Sequence, residues 1–227
     1  MKMGVDENGN IVRSNLLLKI QKMTHLKQLQ QGKLYMKRLD FHRKNEREGA
    51  GDADEGLVAY YPTATLTIDG VEIADAKDIK LHAFGDHPVF CCFSVELEKQ
   101  NDHEHLCCVD KKLLSEFADS SGEYGMMLVQ RTAFRQRISD ALEKQNLMGW
   151  FDDVTYTDDM ERYSKADLHK VAFRKKVKFS HQHECRLLVN APVDDYFILD
   201  IGDLSDISMI LPITDVEKDI KVGVQIN

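Results

Sequence analysis

The chain has 227 residues, of which 43% are hydrophobic and 30% charged, with a formal net charge of −8. These are the proportions of a globular protein of about one domain, and they exclude low-complexity and fibrous classes. No apolar run approaches the roughly 18–20 residues that span a bilayer, so no membrane partner is expected.

Residues 1–13 read as a flexible leader with a turn at Asn8-Gly9-Asn10, and residues 14–227 as a single α+β domain. The start, Met1-Lys2-Met3-Gly4-Val5-Asp6-Glu7, lacks the apolar centre of a signal peptide. The expected location is therefore cytoplasmic, in its own cell or an infected host. From Asn15 the spacing Leu16, Ile20, Met23, Leu26, Leu29 predicts a helical stretch, broken near Thr24-His25, with Thr24 capping the second piece and Gly32 stopping it. Leu34-Tyr35-Met36 reads as a strand. Residues 40–56 read as a charged loop or helix ending. Three glycines and four acids in its last nine residues predict mobility, a lid being one use.

Strands are expected at 57–68 and 71–75 around the hairpin signal Asp69-Gly70. Pro88–Leu97 reads as a buried strand, followed by Leu106–Val109 and a short helix over Lys111–Ala118. Tyr124–Gln130 is an apolar strand. Thr132 is expected to cap an amphipathic helix, Ala133–Lys144, with Phe134, Ile138, Ala141 and Leu142 on one stripe. Val154–Thr157 and then 170–179, 182–189, 196–200, 207–213 and 220–226 read as strands. Strands outnumber helices without βαβ alternation, which predicts a strand-rich α+β fold with a few helices.

Five cysteines occur, as Cys91-Cys92, Cys107-Cys108 and Cys185. An odd count with adjacent pairs makes a poor disulfide framework, so buried strand thiols are the default. The pairs could alternatively meet across a hairpin near His103 and His105 and hold zinc, although C-x-x-C spacing is missing. Charge is uneven. Between Arg13 and Arg47 ten basic residues stand against Asp40 and Glu46, and a second basic run spans Lys170–Lys178. Such patches can receive the phosphates of a nucleotide or nucleic acid, or be solvated faces.

The segment from Lys178 to Val189 carries the sharpest signal. Read as one strand, it puts Gln182, Glu184 and Arg186 on one face and His181, His183 and Cys185 on the other. A carboxylate flanked by an amide and a guanidinium suits a site. The competing reading is a structural ion pair of Glu184 with Arg186 or Arg174. Equally, Ser94 can be a core hydroxyl, His25 a cap, and Asp52 and Glu55 parts of a solvated loop.

The stretch Lys22-Met-Thr24-His25-Leu26-Lys-Gln-Leu29-Gln-Gln-Gly32-Lys-Leu34-Tyr35 resembles the opening of DarT-type ADP-ribosyltransferases, in which an H-I-T-H-x-x-N-L segment runs into a helix and a glycine. Lys22 stands where that segment has its first His. Gln182-x-Glu184 resembles the Q/E-x-E element of ADP-ribosyltransferases, and Ser94 the strand serine of their R-S-E pattern. The chain is also similar to uncharacterised bacterial and phage proteins carrying G-D-x-x-E-G and F-x-x-Q-x-E-x-R, here Gly51–Gly56 and Phe179–Arg186. The transferase resemblance implies an ADP-ribosyltransferase-like fold and NAD as substrate. It implies Glu184 and Gln182 as catalytic residues and Lys22, Thr24, His25, Tyr35, Arg43 and Ser94 as NAD-binding. The acceptor would be a nucleic acid or a host protein. Two other classes stay open. One is a metal-dependent nuclease using Asp52 or Asp54, Glu55 and Glu184-x-Arg186. The other is a non-catalytic phage or prophage interaction protein.

Overall fold

A computed structural model describes residues 15–44, 52–99, 104–109, 112–114, 124–159, 165–213 and 220–223. The leader, the turn at Asn8–Asn10, Gly49–Gly51 of the expected lid, His103 and most of the expected helix over Lys111–Ala118 lie outside these residues. The fold is mixed and strand-rich, with few helices.

The strand β1 (Leu16–Lys22) runs directly into the helix α1 (Met23–Gln30). The helix expected at residues 16–22 is thus corrected to a strand. β1 is central, and Leu17 and Leu18 are buried in different apolar clusters. A strand buried on both faces shows a nearly continuous apolar run, which periodicity cannot separate from a helix. Because strand passes into helix without a loop, Lys22 occupies the cap position with no side-chain cap, and Thr24 lies inside the helix. Gly32 ends α1 as expected. Its φ is +89°, and a Cβ there would stand 2.1 Å from the Gly202 carbonyl oxygen.

Next come β2 (Lys33–Arg38) and the short helix α2 (Leu39–Lys44), then a hairpin of β3 (Leu57–Ile68) and β4 (Val71–His82). β5 (Pro88–Ser94), β6 (Glu96–Lys99), β7 (Glu104–Cys108) and β8 (Tyr124–Gln130) lead to α3 (Arg131–Lys144). Here too a strand feeds the helix directly, with Gln130 at the cap position. Thr132 does not cap; its hydroxyl donates to Asn15 Oδ1 at 2.8 Å. β9 (Gly149–Asp153) was not expected from sequence. β10 (Thr155–Tyr156) pairs in parallel with β11 (Arg174–Lys175). The expected strand over 170–179 is mostly 3-10 helix, Lys165–Phe173 and Val177–Gln182, on either side of β11. Turning lets Val171, Ala172 and Phe173 all be buried in succession, which an alternating strand face would not. β12 (Glu184–Val189), β13 (Tyr196–Asp200), β14 (Ser208–Pro212) and β15 (Ile220–Gly223) complete the order.

Eight strands form the main antiparallel sheet, and β5 is its hub. On one edge β5 pairs with β12, which in turn pairs with β9. On the other edge it meets β2 near its start (Arg38 opposite Pro88) and β1 near its end (Leu17 opposite Ser94), so the sheet forks. α1 bridges the two branches. β8 and β14 extend one branch, and β13 the other. α3 packs on one face through Phe134 and Ile138, against Phe90, Cys92, Phe151, Cys185 and Leu187. The opposite face carries Leu39, Val89, Ala172, Phe173 and Leu188. The cysteine pairs sit in different sheets, β5 and β7, rather than across one hairpin. Cys91, Cys92 and Cys185 are free thiols.

Candidate functional site

On the sheet face away from α3, β12 projects Glu184 and Arg186 toward the segment 165–182. Arg186 Nε donates to Glu184 Oε1 at 2.5 Å, its Nη2 to Glu55 Oε1 at 2.6 Å, and its Nη1 to the Ala172 carbonyl at 2.6 Å. Lys175, from β11, donates to Glu184 Oε2 at 2.8 Å and to Gln182 Oε1 at 3.0 Å. The Glu184 backbone N–H donates to the Tyr156 hydroxyl at 2.8 Å. Two carboxylates and two cations make the cluster neutral, and all four residues are almost fully buried: Glu55 2%, Lys175 5%, Glu184 3% and Arg186 1% exposed. Burial of ion pairs is best repaid when the remaining lone pairs are also satisfied; here Glu55 Oε2 is buried without a hydrogen-bond partner. The two motif segments singled out in the sequence, around Asp52–Gly56 and Phe179–Arg186, meet in this cluster.

The electrostatics follow from that packing. Burial alone would raise the Glu184 carboxyl, but Arg186 and Lys175 overcome it and hold the group far below the usual carboxylate range. Burial opposes the charge on Lys175 and Arg186, yet Glu184 and Glu55 keep both raised. His42, on α2, is lowered by burial. Burial, with the Glu184 charge next, pushes the Cys91 thiol and the Tyr156 phenol up. Both Glu184 oxygens are thus engaged by cations.

Asp52 and Glu55 are not solvated. Asp52 is 4% exposed. Its carboxylate accepts the backbone N–H groups of Asp54 at 3.0 Å and Lys176 at 3.1 Å, and so ties the turn to the 3-10 segment. The turn closes through Glu55 N to Asp52 O and Leu57 N to Asp54 O, both 3.0 Å. Gly56 has φ +71°, and a Cβ there would approach the Ala83 carbonyl oxygen at 2.7 Å. The described part of the expected mobile lid is therefore a buried, hydrogen-bonded turn.

Beside the cluster lies a cleft of about 480 Å³. Its walls include Tyr60, Lys80, Asp158, Asp159, Lys175 and Lys176. Within it Asp54 is bridged by Lys80 and Lys176, both at 2.6 Å, and the Tyr60 hydroxyl donates to Asp78 at 2.8 Å. Lys175 belongs to both cleft and cluster.

Of the sequence-derived candidates, Glu184, Gln182 and Arg43 gather here, Arg43 through a 3.2 Å bond to the Glu55 carbonyl. Ser94 does not. Glu184 stands opposite Phe93 in register, so the adjacent Ser94 points to the α3 face. There it donates to Asp153 at 3.1 Å and accepts from Arg131 at 3.2 Å. Lys22, Thr24 and His25 sit at the far end of β1, where Lys22 is opposite Tyr124. Tyr35 stacks on Tyr196 at the β2–β13 edge, with ring centroids 5.1 Å apart. The reading of one strand face through 182, 184 and 186 also changes. β12 begins at Glu184, and His183 is left-handed at φ 45°, ψ 45°. Gln182 nonetheless reaches the cluster, through Lys175. Sequence reasoning took Lys175 only as part of a basic run. Its signal was its place two residues after the apolar Val171-Ala172-Phe173.

Among the described residues no group of three or more His, Cys, Asp or Glu side chains is arranged to hold a metal ion, and no helix is long and apolar enough to cross a membrane. No family model, curated protein or solved structure matches this chain.

Proposed function

We propose that the chain is an NAD-directed, ADP-ribosyltransferase-like protein whose nucleotide lies in the cleft above Lys175. The supporting observation is Lys175 itself. The residue lines the cleft, while its buried ammonium binds Gln182 and Glu184, the two residues of the transferase-like element. The cleft volume falls within the range of small-molecule sites, roughly 300–1,000 Å³. Lys80 and Lys176 can turn from Asp54 to phosphate oxygens as point charges. Tyr60 offers a ring face, and Asp158 and Asp159 offer acceptors for ribose hydroxyls. Breaking the ribose–nicotinamide bond builds oxocarbenium charge, which fixed carboxylates stabilise. In this geometry Glu184 acts as a positioning residue, because both its oxygens already serve Arg186 and Lys175. The acceptor would be a protein or nucleic acid.

The experiment is a thermal-shift titration with NAD, ADP-ribose and nicotinamide, alongside an assay for nicotinamide release with and without cell extract. Saturating NAD at 100 times its Kd should stabilise the fold by about 2.7 kcal/mol. A melting temperature indifferent to millimolar concentrations of all three would overturn the proposal.

A second reading, a non-catalytic interaction protein, is favoured by the β3–β4 ribbon. Among the described residues it pairs with no other strand, and it exposes Ile68, Val71 and Ile73. That reading expects no nicotinamide release.

A further inference from the structure

A second cavity, of about 540 Å³, lies on the far side of β12 from the hub. It is lined by five consecutive residues, Gly149 to Asp153, together with Arg135 and His169. Because these residues form β9 and a strand's successive side chains point to opposite sides, a cavity lined by all five runs along the strand edge. Among the described residues β9 pairs with β12 alone, so no described strand covers its other edge.

The polarity of that edge can be read from the hydrogen bonds. Val154 N–H donates to the Glu184 carbonyl at 2.9 Å, and the Met148 carbonyl accepts from Asn190 at 2.8 Å. Even-numbered residues therefore bond inward, and Gly149, Phe151 and Asp153 direct their backbone groups outward. The Asp153 N–H is capped by Asp152 Oδ1 at 2.8 Å. Phe151 keeps an outward donor and acceptor. One step further along, the chain already fills this edge itself. Thr157 N–H donates outward to the Lys175 carbonyl at 2.9 Å, as β11 pairs with β10. The open stretch is the continuation of a line that β11 occupies.

The two walls differ in charge. On the α3 side stands Arg135, exposed and without an ion-pair or hydrogen-bond partner among the described residues. On the other side lie exposed Asp152, the stacked rings of Trp150 and His169, with centroids 4.6 Å apart, and Lys170, whose charge is met by Asp167 at 2.9 Å. A strand points alternate side chains to opposite walls.

The geometry points to this groove as a docking site for an extended peptide segment of a partner protein. The segment adds a strand to Gly149–Asp153 and alternates acidic side chains toward Arg135 with basic ones toward Asp152. Main-chain bonds to Phe151 supply attachment, and the walls supply the choice of side chain.

The test uses the full chain and three blocked synthetic heptapeptides. One is Glu-Lys-Glu-Lys-Glu-Lys-Glu. The second is Lys-Lys-Lys-Glu-Glu-Glu-Glu, of the same composition in blocks. The third is the alternating peptide N-methylated at alternate amides. The alternating peptide should shift the Gly149 and Phe151 amide resonances and bind at least about tenfold more tightly than the other two. Arg135→Glu, on an exposed helix position, should cost the alternating peptide about tenfold while leaving the melting temperature unchanged. Equal affinity for the alternating and block peptides, unmoved amides, or indifference to Arg135→Glu would each overturn the proposal.

Discussion

Two regions of this molecule sort their side chains in opposite ways. Beneath β12, Glu55, Lys175, Glu184 and Arg186 carry four charges almost out of reach of water. On the β3–β4 ribbon, Ile68 is 56% and Val71 64% exposed. Near the tip the register places Leu66 opposite Ile73 and Ile68 opposite Val71, all on one face, while Thr67 and Glu72 lie on the other. The contrast teaches where stability resides. A buried charge is held by its partners, so removing one strands the rest. An exposed apolar residue has given up little water and contributes little to folding.

The largest expected effect comes from breaking the cluster. Arg186→Met should cost about 3–5 kcal/mol in denaturant unfolding, the usual result of leaving buried carboxylates uncompensated. Glu184→Gln should cost about 2–4 kcal/mol for the same reason, and combining the two should cost less than their sum. Strict additivity would show that the four residues do not act as one unit. The paired change of Asp52 and Glu55 belongs here too. The sequence allowed both to be parts of a solvated loop, where such a change costs little stability. Both residues are buried, so a loss of stability is expected.

Gly56→Ala comes next, at about 1–3 kcal/mol, since it adds left-handed backbone strain to the clash with Ala83. An unchanged unfolding midpoint would mean that the turn relaxes freely.

Acidification should act in two stages. Burial lowers His42, and also lowers His82 with help from Arg43. Between their folded values and about pH 6.5 the unfolded chain binds more protons, so stability falls as pH drops through that window. The Glu184 contribution is fully present above the unfolded carboxylate value of about 4.3 and is lost as pH falls toward its much lower folded value. His42→Phe should shrink the first stage and leave the second. Unfolding curves taken from pH 7.5 to 3.5 check both, and a first stage unaltered in His42→Phe would remove His42 from the account. At the small end, Val71→Thr on the ribbon should change stability by no more than about 0.5 kcal/mol. A larger loss would mean that the ribbon face is covered in solution.

The parts legible in the sequence were those governed by local rules. Tyr124–Gln130 and Tyr196–Asp200 match their strands because each is a short apolar run set off by turn residues, Ser121-Gly122 before one and Asp194-Asp195 and Gly202 around the other, whereas the apolar run of β1 continues without a break into α1. The Asp69-Gly70 hairpin followed from turn chemistry. What escaped depended on tertiary pairing. β9, Gly149-Trp-Phe-Asp-Asp, lacks a strand-like alternation, and β12 recruits it. At the site, Glu184, Gln182 and Arg186 were recognisable as a group. Their burial was not, because it depends on Lys175 arriving from β11 and Glu55 from the turn before β3. Ser94 was credited to the same site, and only the register opposite Phe93 and Glu184 reveals that it faces α3.

The forked hub strand has a consequence for synthesis. β5 takes its partners from residues 17–18, 37–38 and 184–188. Its edge toward β12 stays open until Glu184 and the residues after it have left the ribosome. At typical elongation rates that interval is about 5–20 s after Ser94 is made. Through it, Val89, Phe90 and Cys92 on β5 and the thiol of Cys91 lack their final cover. A nascent chain of this protein should therefore engage holding chaperones while residues 95–184 are being made and release them once Glu184–Val189 emerges.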